Sequence, residues 1–250
     1  MKTIKVISII LITLILSVSH AYSYNFGTNI TIWDKEGSGS GWYGTQEDQE
    51  VTPNCVTGQV WDLEGFFLKD HELTVVGGFD FKNGYRGWES GDIFIDVTGD
   101  VKYGPGTGGG YNNTTVKNSF GYDYVIVLDW NQNKSDWYAI DSNSDVKTVY
   151  YSQNQSSNPW KYAPIGMDSD PIVYYTGLTD DDVGFLGGTH YAFIVDLGFL
   201  PDETKFTVHY TYECGNDNLM GHAQVPEPAA LLLLGLGLVG LGLSSRKFKK

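Results

Sequence analysis

The chain is 250 residues long with a formal net charge of −14, and its 41% hydrophobic content excludes a disordered polymer. With Lys2, Lys5, Glu227 and the four cations of the last five residues set aside, ten basic residues face 29 acids, about −19. That surplus excludes nucleic acid and anionic lipid as partners and favours cations, while 17 Tyr, 7 Trp and 31 Gly suit β structure with many loops.

Lys2 and Lys5 precede an apolar run over residues 6–18, and Ser19-His20-Ala21 offers small residues at the cleavage-determining positions. Residues 1–21 therefore read as a secretory signal peptide passed to the Sec translocon, with the mature chain starting near Tyr22. Export leads to an oxidising compartment, so the two cysteines, Cys55 and Cys214, are expected to form one disulfide. Closing a loop of about 160 residues would contribute roughly 5 kcal/mol in the chain-entropy model. Neither cysteine has the second Cys or His at the spacing a zinc site needs.

Strand patterns follow in order: "LTVVGGFDF" at 73–81, "GDIFIDVTGDV" at 91–101, "GYDYVIVLDW" at 121–130, the short 172–175, "THYAFIVDLGF" at 189–199 and "TKFTVHYTYEC" at 204–214. In the last, Phe206, Val208, Tyr210 and Tyr212 alternate with Thr207, His209, Thr211 and Glu213, which predicts one core face and one wet face. "GPGTGGGYNNTT", "SQNQSSNPW" and "TDDDV" read as loops, and no segment has sustained helical periodicity. These signals predict an all-β ectodomain over residues 22–224, an antiparallel β-sandwich with a jelly-roll as one form of it.

"DSNSD" places Asp141, Asn143 and Asp145 like the start of a calcium loop, but Val146 stands where an EF-hand needs Gly and Ser152 where it needs Glu. The carboxylates of Asp168 and Asp170, and of Asp180, Asp181 and Asp182, are further candidates for a structural Ca2+. His71, His190, His209 and His222 are scattered, His209 being expected on a solvent-facing strand position, and no nucleophile elbow or zinc-protease motif occurs. No enzyme is expected. Trp33, Trp42, Trp88, Trp137 and Trp160 keep a carbohydrate-binding module open as an alternative, because exposed coplanar rings stack sugars; a secreted matrix glycoside hydrolase is the third reading.

Residues 229–243 form a 15-residue apolar stretch, as a helix about 22 Å long against a hydrocarbon core of about 30 Å. A transmembrane helix there spans with local thinning. Arg246, Lys247, Lys249 and Lys250 follow, which orients this tail to the cytoplasm and the ectodomain to the far side. Pro226 and Pro228 around Glu227 keep the backbone before it extended. The order of Val-Pro-Glu-Pro, short Leu/Gly-rich span and basic end over residues 225–250 resembles the PEP-CTERM sorting signal of Gram-negative bacteria. A strand ending in Cys-x-Asn-Asp shortly before the motif is similar to the end of many ectodomains of that class. The resemblance implies a membrane exosortase that recognises Pro226, Glu227 and Pro228, removes the tail and sends the ectodomain to the cell surface or extracellular matrix, in association with exopolysaccharide and biofilm. The predicted protein is thus exported, transiently membrane-anchored and without catalysis.

Overall fold

The computed structural model describes residues 24–33, 47–102, 110–162 and 170–227. The expected signal peptide, the expected transmembrane helix, Pro228, the basic tail, Trp42 and Asp168 lie outside these residues. Among the described residues no helix is long and apolar enough to cross a membrane.

The fold is all-β and antiparallel. Five strands form one sheet in the order β1 (Thr28–Asn29), β3 (Leu63–Lys69), β4 (Glu72–Gly77), β13 (His190–Asp196) and β12 (Val173–Leu178). Seven form a second, in the order β11 (Asp170–Pro171), β8 (Lys134–Ala139), β7 (Tyr124–Asp129), β5 (Ile93–Asp96), β14 (Lys205–Thr211), β15 (Asn218–Gln224) and β2 (Thr31–Ile32). Three short strands, β10 (Lys161–Tyr162), β9 (Asp145–Lys147) and β6 (Thr115–Lys117), make a third.

The main core draws inward-facing residues from both large sheets: Phe66, Val75 and Phe193 from the first, Ile95, Ile126, Val208 and Tyr210 from the second. Phe193 of β13 meets Tyr210 of β14 with ring centroids 5.7 Å apart, and Phe81 packs edge-on against both. Each such aromatic contact adds about 0.5–1.5 kcal/mol beyond the apolar area it buries. A second cluster, with Phe94, Val125, Val127 and Val146, lies on the other face of the seven-stranded sheet. A third covers the outer face of the five-stranded sheet with Phe26, Val76 and Ala192.

This second layer corrects the reading of β14. The expected wet face is covered: His209 and Thr211 are buried. His209 Nε2 lies 3.1 and 3.0 Å from the carbonyl oxygens of Ser157 and Pro159, and its ring stacks on Tyr122. The covering segment is "SQNQSSNPW", read from sequence as a solvated loop. Its amides act as surrogate backbone: Asn158 accepts from Val149 N–H at 2.6 Å and Asn154 donates to the Cys214 carbonyl at 2.9 Å. Hydrogen-bonded this way, polar residues enter a core at little cost. "TDDDV" also differs from expectation. Asp180–Val183 form one helical turn, α1, in which the Asp182 carboxylate accepts from Thr179 N–H and Oγ1–H and Gly184 closes the end at φ 83°.

Candidate functional site

The C-terminal end of the fold changes character over two residues. β15 pairs with β14 along its whole length, from Asn218 opposite Thr211 to Gln224 opposite Lys205. One residue further, Val225 is buried, donates its N–H to the Thr204 carbonyl at 2.9 Å and accepts from Glu203 N–H at 2.9 Å. Pro226 and Glu227 then stand exposed. Pro226 has no N–H to continue a ladder, so pairing ends there for a covalent reason. The processing residues seen in the sequence thus begin where the last core residue ends.

A buried polar cluster lies elsewhere, around the start of β3. The register of β3 on β4 slips between Leu63 and Gly65, so Glu64 is the extra residue of a bulge, a device that re-aims a side chain. Glu64 and His190 are both fully buried, with His190 Nδ1 2.7 Å from Glu64 Oε1 and Nε2 2.9 Å from Asp180 Oδ1. Gln59 Nε2 donates to Glu64 Oε1 at 2.7 Å. Burial pushes Glu64 up to about 7, with the hydrogen bond and charge of His190 acting against it. Burial opposes the His190 cation, yet Glu64 and then Asp180 hold its pKa above the ordinary value. Asp62 and Asp217 are also raised, by burial and by neighbouring carboxylates. Both rest on backbone donors: Asp62 accepts from Gln49 and Glu50 N–H, Asp217 from Leu63 and Asn218 N–H. Both His190 nitrogens thus face carboxylates.

Asp48, Asp62 and Glu64 bring one oxygen each within 4.8 Å of one another, a set able to hold a metal ion. The predicted calcium residues are placed differently. Asp141 turns onto its own loop, accepting from Asn143 N–H at 2.9 Å and Ser144 N–H at 3.1 Å, while Asp145 pairs with Lys117 at 2.7 Å. Lys117 also donates to the Asn143 carbonyl at 2.7 Å, so the loop is closed by a cation that the chain supplies. Asp170 is exposed at the start of β11.

Residues 224–247 match the family described as the PEP-CTERM protein-sorting motif. The chain carries a PEP-CTERM sorting signal. No curated protein and no solved structure matches it. The PEP-CTERM motif implies an exported protein directed to exosortase, and the described part of the match, Gln224 to Glu227, is the handover from β15 to exposed chain.

Elsewhere in the chain the sequence-derived sites are dispersed. Trp33 and Trp137 are exposed, Trp88 is half-buried against Tyr150 and Tyr151, and Trp160 is buried with its Nε1–H on Asn113 Oδ1 at 3.2 Å. Among the described residues no ring contact joins two tryptophans; Trp137 instead stacks on Phe199 at 4.6 Å. The expected Cys55–Cys214 disulfide is not formed. Both thiols line one cavity of about 380 Å3, but Cys55 Sγ donates to Asn154 Oδ1 at 2.8 Å, and burial pushes the thiols up to about 11 and about 12. The Glu64, His190 and Asp180 row went unread in the sequence because its members come from β3, β13 and α1 with no common spacing.

Proposed function

We propose that the protein is exported, held at the membrane while exosortase acts at Pro226, Glu227 and Pro228, and then delivered as a non-catalytic component of the cell surface or extracellular matrix, in contact with exopolysaccharide. The ectodomain is read as a β-sandwich because two large antiparallel sheets share one core. The observation that carries the reading is the handover at Val225: the fold is complete one residue before the motif, and Pro226 and Glu227 are accessible. A protease or transferase needs an extended peptide free of ladder hydrogen bonds, and removal of the tail then leaves every strand in place.

The intact mass of protein recovered outside the cells tests this. A chain starting near Tyr22 and ending between Pro226 and Pro228 is expected, and Pro226→Ala combined with Pro228→Ala should abolish that end. Recovery of a mature chain that keeps Lys250 would sink the proposal.

A further inference from the structure

Lysine is scarce in this acidic domain, yet Lys82, Lys134, Lys147 and Lys161, four of its ten basic residues, line one cleft of about 780 Å3. Glu89 and Asp129 are the acids on the same wall, so the lining has two positive charges in excess on a domain near −19. The cleft lies where β7 and its turn into β8 meet β9 and β10. Asp92, buried just before β5, fixes two of these walls by accepting Leu128 N–H at 3.1 Å and Tyr162 N–H at 2.8 Å. The ring of Trp130 is held edge-on by Tyr174 and Phe193, each 5.3 Å away.

The lysines are arranged at a cost. Lys147 and Lys161 are direct cross-strand partners on β9 and β10, so their side chains leave on the same face. Like charges in that position destabilise a pair. Lys161 is partly answered by Glu89 at 2.9 Å, and Lys82 donates to Asn133 Oδ1 at 2.8 Å. Glu213 lies within electrostatic reach of both Lys147 and Lys161. Among the described residues no ion pair or hydrogen bond takes up the Nζ of Lys134 or Lys147. A bound anion would relieve the opposition that the fold imposes.

We propose that this cleft binds an acidic oligosaccharide, with Lys134 and Lys147 taking its carboxylate or sulfate groups and Trp130 meeting its ring faces, while Asp129 holds the turn by accepting from Asn131 N–H and from Gln132 N–H and Nε2–H. The volume falls in the upper part of the range of ligand clefts, which suits several rings more than a lone ion. A nucleic acid duplex, with a charge about every 1.7 Å, would be repelled by the acidic surface around the cleft. A ligand with one charge per ring stays within the small positive region. A neutral glycan would leave Lys147 and Lys161 opposed. This inference stands apart from the processing reading, since binding is measured on purified protein whether or not its tail has been removed.

The test is titration calorimetry of the full chain with oligogalacturonate of about six rings, beside a neutral cello-oligosaccharide of equal length and inorganic phosphate. The uronate ligand should bind at least about tenfold more tightly than either control and weaken as salt rises. Lys134→Gln with Lys147→Gln should lower its affinity about tenfold or more without lowering the thermal midpoint, and Lys69→Gln, at the end of β3, should leave it unchanged. Equal binding of the neutral sugar, an unaffected double variant, or phosphate binding as tightly as the uronate would each overturn the proposal.

Discussion

Two polar regions of this molecule answer their charges in opposite ways. Around Glu64, carboxylates are packed inside the fold against backbone N–H groups and His190. In the lysine cleft Lys82 and Lys134 are exposed, and the half-buried Lys147 and Lys161 face each other across a strand pair. Raised carboxylate pKa values concentrate in the first region, where burial and neighbouring carboxylates disfavour the charged forms. The second is the one whose charge would gain from an anion.

The contrast predicts its own tests. Removing one member of a buried pair strands the other, at about 3–5 kcal/mol. His190→Ala should therefore lower the thermal midpoint by about 6–20 °C, given about 2–4 °C per kcal/mol for a domain of this size, and an unchanged midpoint would show that the cluster is not holding the fold.

Acidity gives the next effect. Glu64 at about 7, Asp92 at about 6, and the raised Asp62 and Asp217 keep protons in the folded state that the unfolded chain has already released. The contribution of Glu64 and Asp92 is fully present below the ordinary carboxylate range and is lost as pH rises through about 6 to 7, at about 1.4 kcal/mol per pH unit per proton of difference, and Asp62 and Asp217 act in the same direction. The raised His190 acts with the same sign. His209, lowered to about 4 by burial, opposes them below about pH 6.5, where the unfolded imidazole takes a proton first. Thermal melts should show stability rising from pH 8 to a maximum near pH 5; a steady fall over that range would contradict the assignment.

Asp92→Asn replaces a carboxylate that takes two N–H bonds by an amide with one acceptor, costing about 1–3 kcal/mol. It should also weaken oligouronate binding, because β7 and β10 lose their common tie, and a variant that loses stability with binding intact would separate the two. The smallest effect has the opposite sign. Lys147→Gln removes a like-charge opposition and should stabilise the ligand-free protein by about 0.2–1 kcal/mol, seen as a raised midpoint in urea. A lowered midpoint would mean that Glu213 outweighs Lys161 as its neighbour.

The strands with clean alternation were legible: β4, β5, β7, β13 and β14 fall where the patterns put them. What lay beyond the sequence was the second covering of the seven-stranded sheet. Its strands are two or three residues long and its packing depends on Asn154, Ser157 and Asn158, residue types that signal loops until their amides and hydroxyls find remote partners. For the same reason His209 looked wet. β15 carries Gly221 and His222 in place of an alternating pattern, and it forms because β14 offers it a full edge. The sorting motif was readable since its code is local, whereas the four lysines of the cleft are up to 79 positions apart in sequence and meet only through topology. Residues 55 and 214 did reach one cavity, as their scarcity suggested, but as thiols.

Val225 has a mechanical consequence. Any attachment made at the processed end must transmit force through this residue into β15, and β15 is laced to β14 by seven consecutive register pairs. A pull along the strand axis loads those pairs together, in shear, instead of opening them one at a time. The tether would therefore enter the domain along its longest continuous seam, so that the chain's exit point is also its strongest grip.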